Sequence, residues 1–262
     1  MPTLSTRHAR LSYDITGEGP LAVQLHGLTS SRARDALLGL DLCRCLRSCR
    51  VLRYDARGHG HSTGRRISSD YGWPALAADV LALLDHEAPG QLAHGVGQSM
   101  GSATLLHAAI AAPDRFSTLV LGIPPTAWSS RAPQRTAYRH SADLIERSGL
   151  DQFMDRAHRA PRPPAVCPDA PVTAPDVAPS LLPTVFRGAA DTDLPSPEDI
   201  CTIAAPTLLL SWVNDPAHPE SSAQHLHELL PNSHLVVART PKDVARWPGL
   251  VAEHLAARPA VN

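Results

Sequence analysis

A serine with a glycine two residues away on each side, Gly97-Gln98-Ser99-Met100-Gly101, is the strongest chemical signal in the chain. A G-x-S-x-G run between a strand and a helix sets the serine on a sharp turn, with its hydroxyl above the sheet edge. The flanking glycines remove Cβ atoms that would clash where strand and helix pack close. The serine also stands at a helix N-terminus, where backbone N–H groups favour a developing negative charge. That chemistry is nucleophilic attack on a carbonyl, and it requires a base that is itself oriented by a carboxylate. Fourteen histidines make candidate bases abundant. The plain alternative for Ser99 is an N-cap on an ordinary helix.

The residues around this turn alternate between strand and helix patterns. Leu21–Leu25, an almost unbroken apolar run, and Val51–Tyr54 read as strands buried on both faces. Leu76, Val80, Leu83 and Leu84 recur at helical spacing and end near Ala88-Pro89-Gly90. Strand Leu92–Val96, helix Ser102–Ala112 and strand Thr118–Leu121 follow. The pattern resumes with strand Thr207–Trp212, helix Pro219–Leu230, strand His234–Ala238 and helix Pro248–Ala256. Such alternation predicts an α/β fold, a mostly parallel sheet with helices on both faces. The interruption divides the chain into a core of residues 1–123 and 198–262 and a cap of residues 124–197. Its first half can form two short helices, with Leu150, Phe153, Met154 and Ala157 on one stripe. From Pro161 to Pro183 eight of 23 residues are proline, which favours a covering loop over a helix.

Two further stretches fall at strand ends: Leu25-His26-Gly27-Leu28-Thr29, and Tyr54-Asp55-Ala56-Arg57-Gly58-His59-Gly60-His61-Ser62. With the serine turn they resemble the α/β-hydrolase fold superfamily over nearly the whole chain. The resemblance implies Ser99 as nucleophile and the backbone amides of Leu28 and Met100 as the oxyanion hole. It makes Asp55, Arg57 and His59 architectural. It also implies an acid just after the next-to-last strand, where Asp215 matches within Ser211-Trp212-Val213-Asn214-Asp215-Pro216-Ala217-His218-Pro219. Family members carry their catalytic histidine on the loop after the last strand. Here that loop, Arg239-Thr240-Pro241-Lys242-Asp243-Val244, contains none. His254 falls too far on, within a helix pattern, and His234 lies at the opposite end of its strand. His218 offers itself instead, because loops after parallel strands all emerge at one edge of the sheet. His61 is a second choice on the same reasoning. His26, Gln98, Trp128 and His61 are candidates for the substrate pocket.

The expected activity is hydrolysis of an ester, lactone or thioester of a small organic molecule, without metal or organic cofactor. Two alternatives keep the fold and drop the acyl-enzyme. One is C–C cleavage, elimination or cyclisation in specialised metabolism, and the other is a small-molecule binding protein without catalysis. Lys+Arg and Asp+Glu number 24 and 25, which gives no electrostatic reason for a nucleic-acid or membrane partner. Oligomeric state stays open. Apolar residues at 43% exclude disorder, and no run approaches the ~20 residues of a membrane helix. Cys43, Cys45, Cys49, Cys167 and Cys201 are an odd number without paired zinc spacing, and the first three fall in a segment that reads as helix entering a strand. Spectator thiols and no apolar leader together suggest a cytoplasmic protein.

Overall fold

The computed structural model describes residues 1–257 of the 262-residue chain. The described strands are β1 (Thr3–Ser5), β2 (Arg10–Thr16), β3 (Leu21–Leu25), β4 (Arg50–Tyr54), β5 (Ala93–Gln98), β6 (Phe116–Gly122), β7 (Thr207–Trp212) and β8 (Ser233–Ala238). They form one sheet in the order β1-β2-β4-β3-β5-β6-β7-β8. Pairing is parallel from β4 across to β8 and antiparallel between β1, β2 and β4. The antiparallel margin is the main departure from the strand pattern read in the sequence. β1 has three residues, and β2 mixes Arg10, Ser12 and Asp14 with apolar positions, so neither carries the continuous apolar signature of β3.

The helices are α1 (Arg32–Leu37), α2 (Trp73–Glu87), α3 (Met100–Ala111), α4 (Arg131–Arg159), α5 (Leu182–Ala190), α6 (Pro197–Ile200), α7 (Glu220–Leu229), α8 (Pro241–Ala245) and α9 (Trp247–Ala256). Apolar clusters cover both sheet faces. One joins Leu76, Val80 and Leu83 of α2 and Leu105 of α3 to β3 and β6. The other joins Trp247, Val251 and Leu255 of α9 to Val96, Val120 and Leu210. The cysteine-bearing segment is a correction to the sequence reading. α1 ends before it, Gly39 turns the chain at φ 72°, and Cys43 and Cys45 lie in turns rather than in a helix. All five thiols are free. No described helix is long and apolar enough to cross a membrane.

Between β6 and β7, α4 is broken at Gly149 (φ 81°, ψ 175°) into two helical pieces. Residues 161–180 are irregular, as their prolines dictate, and α5 follows. Tyr71, Ile145, Val177, Leu182 and Phe186 form a small apolar cluster under this insertion, with Leu150 and Phe153 packed against it. Backbone hydrogen bonds hold the irregular stretch to the core. Asp176 N–H donates to Thr29 O at 2.9 Å, and Gly60 N–H donates to Asp176 O at 2.8 Å. Arg131 of α4 is fully buried between the Trp73 and Tyr138 rings, 4.4 and 5.5 Å from their centroids. Its guanidinium donates to the carbonyl oxygens of Ala189, Thr192 and Thr126, so the buried charge is spread over backbone dipoles and aromatic faces.

Candidate active site

β5 passes directly into α3 at Ser99, whose φ of 53° and ψ of −115° lie outside the regions an L-residue prefers. The close approach demands its glycines. A Cβ at Gly97 would stand 2.5 Å from the carbonyl of Gly101, and one at Gly101 would stand 2.5 Å from Leu25 O. Hydrogen bonds then hold the turn: Ser99 N–H donates to Gly122 O at 2.9 Å, and the Ser102 hydroxyl lies 2.7 Å from the same oxygen. The end of β3 packs alongside, with the Cβ position of Gly27 3.4 Å from Ser99 Cβ. Leu28 therefore begins its loop beside the serine. Met100 opens α3, where a helix's first N–H groups have no intrahelical acceptor.

On the neighbouring side β7 ends at Trp212, and the chain reverses through Asn214 at φ 60°. Asn tolerates that left-handed conformation better than most residues. The reversal brings Asp215 back onto Trp212, whose indole Nε1–H donates to Asp215 Oδ2 at 2.9 Å. Ala217 N–H donates to Asp215 Oδ1 at 2.9 Å, and His218 Nδ1 lies 2.8 Å from Oδ2. An ionised carboxylate can only accept, so Nδ1 carries the proton and Nε2 is left as an acceptor. Ser99 Oγ stands 2.7 Å from that Nε2. Burial alone would push the Asp215 carboxyl up. The hydrogen bonds and charge from His218, with the donors on Ala217 and Trp212, outweigh it and hold Asp215 at about 2. It stays ionised.

The loop is held from its far side. Thr126 N–H donates to Ala217 O at 3.1 Å, and Arg131 Nη1 donates to Thr126 Oγ1 at 3.2 Å. The sequence reading singles out neither Trp212 nor Thr126. For Trp212 the only local clue is its three-residue separation from Asp215. Thr126 lies about ninety residues from its contact.

The remaining candidates fall elsewhere. His26 is buried, with Nδ1 2.8 Å from Gly27 O and Nε2 accepting from Ala56 N–H at 2.9 Å. Burial pushes its imidazole down to about 4, so it is a neutral strut between two loops. His59 is fully buried in the same way, its Nδ1 2.9 Å from Arg57 O and its Nε2 accepting from Thr29 N–H. Gln98 turns toward α1, its amide nitrogen 2.5 Å from Asp35 Oδ2 and 3.1 Å from Leu40 O. His61 is exposed and binds Asp55 through its backbone N–H. Trp128 is half-buried, its indole N–H donating to Pro195 O at 2.9 Å. None of His26, Gln98, His61 and Trp128 has a side chain hydrogen-bonded to Ser99, Asp215 or His218. His254 Nε2 lies 3.3 Å from Pro206 O, at the end of the sheet opposite the serine. No group of three or more metal-ligating side chains converges among the described residues.

Known proteins share both sequence and fold with this chain. It is 31% identical to an sn-1-specific diacylglycerol lipase ABHD11 of Xenopus tropicalis, across 59% of this chain and only 47% of that protein's length. It is 28% identical to 3-oxoadipate enol-lactonase 2 of Acinetobacter baylyi, across 71% of this chain and 69% of that one. A hydrolase of known structure from Pseudomonas aeruginosa PA01 superposes with a TM-score of 0.80, at 24% identity and over 97% of both chains, which speaks to the fold. The model of one family, described as the Alpha/beta hydrolase family, matches residues 23–247. That span takes in the serine turn, the loops after β3 and β4, and the Asp215–His218 loop: the chain belongs to the alpha/beta hydrolase family.

Proposed function

We propose that this enzyme hydrolyses an ester, lactone or thioester of a small organic molecule through Ser99. One observation carries the reading, the unbroken run Ser99 Oγ–His218 Nε2–His218 Nδ1–Asp215 Oδ2, with links of 2.7 and 2.8 Å. Ser99 attacks the carbonyl carbon as its proton passes to His218 Nε2. The oxyanion is held by the N–H groups of Leu28 and Met100, one from the loop after β3 and one from the start of α3. His218 then protonates the departing alcohol, thiol or ring oxygen, and an acyl group remains on Ser99. Water attacks the acyl-enzyme with His218 as base, and the acid is released. Asp215 holds the imidazole in the tautomer this requires and stabilises the imidazolium.

What supports hydrolysis over the non-hydrolytic and binding readings is a histidine in hydrogen-bond contact with Ser99. Residues 124–197 would serve as the cap over the site. The free thiols favour work in a reducing compartment such as the cytoplasm. No metal or organic cofactor enters the scheme, because the serine supplies its own nucleophile. The enol-lactonase among the relatives makes small lactones the first substrates to try. The test is turnover of p-nitrophenyl acetate with mass spectrometry of the quenched enzyme. Wild type accumulates a single acetyl group on Ser99, and Ser99→Ala neither acetylates nor turns over above ~10⁻³ of the wild-type rate. Equal turnover in Ser99→Ala would overturn the proposal.

A further inference from the structure

The loop after β8, where the family resemblance calls for a histidine, borders a cavity. Pro241, Val244 and Ala245 line this cavity of about 410 Å³, together with Trp212 and residues from the end of α1 and the proline-rich stretch. Neither Ser99, Asp215 nor His218 belongs to its wall. The wall is mostly apolar, and its charged members are all of one sign: Arg34, Arg44 and Arg162, with no aspartate or glutamate among the lining residues.

These guanidiniums are bonded only to neutral groups among the described residues. Arg34 donates to Thr173 Oγ1 at 2.7 Å, to Thr173 O at 3.1 Å and to Thr29 O at 3.5 Å. Arg44 donates to Gly39 O at 2.8 Å and Asp41 O at 3.4 Å, and Arg162 donates to Ala170 O at 2.6 Å. Asp35 and Asp176 are near enough to act on the charge of Arg34, but neither lines the cavity. Three arginines around an apolar space, each with donors left over, fit an anionic head on an apolar body. The wall has no carboxylate to repel that head. The cavity also touches the catalytic loop from behind. Trp212 lines the cavity and donates its indole N–H to Asp215 Oδ2.

We propose that this cavity is a second ligand site, taking a small monocarboxylate with an apolar body, and that its occupant acts on Asp215 through Trp212. The second half rests on the Ser99 reading; the first does not.

Calorimetry with octanoate on full-length Ser99→Ala separates the two. Octanoate is expected to bind with 1:1 stoichiometry and octanol at least tenfold more weakly. Arg44→Gln with Arg162→Gln, both at exposed side chains, should weaken octanoate at least tenfold. Val244→Trp should fill the space and remove binding, with circular dichroism confirming the fold. In wild type, prior phosphonylation of Ser99 should leave the octanoate affinity unchanged. Octanoate should also lower kcat for p-nitrophenyl acetate without raising KM. Equal binding of octanol and octanoate, loss of octanoate on phosphonylation, an effect on KM alone, or no saturable binding would each overturn the site. Failure of the Ser99 reading would appear separately, as absence of phosphonylation in wild type.

Discussion

Asp215 receives donors from the Trp212 indole, the Ala217 amide and the His218 ring on its two oxygens. A carboxylate so satisfied holds an imidazole in one orientation and has little freedom to turn away. Its value of about 2 also means that it takes no part in the pH–rate profile above pH 3. Asp215 should therefore add no titrating group to the acid limb of kcat/KM, which should fall with a slope no steeper than one, where a slope of two would bring Asp215 in. Asp215→Asn should lower kcat ~10⁴-fold by releasing the tautomer. Trp212→Phe removes one charge-assisted hydrogen bond, worth ~1.5–3 kcal/mol, and should lower kcat about tenfold or more. Steady-state turnover of p-nitrophenyl acetate measures both. Trp212→Phe at wild-type kcat would show that the indole contact has no catalytic consequence.

Two elements set the site, the β5–α3 turn and the short loop from β7 to α7. The first was legible because its requirement is local, Gly97 and Gly101 marking where backbones meet. Gly97→Ala should push its Cβ into the Gly101 carbonyl and destabilise the protein by ~1–3 kcal/mol, a drop read as a lower urea midpoint at unchanged m. An unchanged midpoint would mean that the turn relaxes without cost. The second loop was partly legible. Asp215 and His218 stand three residues apart on a loop at the serine's edge of the sheet, and that edge follows from the strand order. The support behind the loop is not legible in the sequence, because Thr126, itself held by Arg131, meets Ala217 only when the chain has returned from the insertion. The antiparallel margin was missed for another reason. β1 has only three residues and β2 is partly polar, and β2 pairs on the free edge of β4, with β1 added on β2, rather than by their own apolar content.

At the scale of the molecule, the histidine count takes on a thermodynamic meaning. Burial pushes His26 to about 4, His59 to about 3 and His94 to about 4. In the unfolded chain each gains a proton near pH 6.5, so from there down to about 4 the unfolded state binds more protons. Each then costs ~1.4 kcal/mol of stability per pH unit of acidification. Asp35 acts in the opposite direction. Burial raises it to about 7, so it is protonated in the folded protein while the unfolded chain has already released its proton above ~3.9. Stability is lost through Asp35 as pH rises between those values. Three groups outweigh one, and the net effect of acidification from pH 6.5 to 4.5 is a loss of roughly two such slopes. Urea unfolding at pH 6.5, 5.5 and 4.5 should give steadily falling midpoints. Level midpoints would show that the buried histidines accept protons in the folded state.

The central claim is that the base has moved from the loop after β8 to His218 on the loop after β7. The direct measurement is the rate of Ser99 phosphonylation by a fluorophosphonate in wild type, His218→Ala and His61→Ala, with the fold checked by circular dichroism. The prediction is a loss of at least ~10³-fold in His218→Ala, with His61→Ala within twofold of wild type. A folded His218→Ala that reacts within tenfold of the wild-type rate would contradict it.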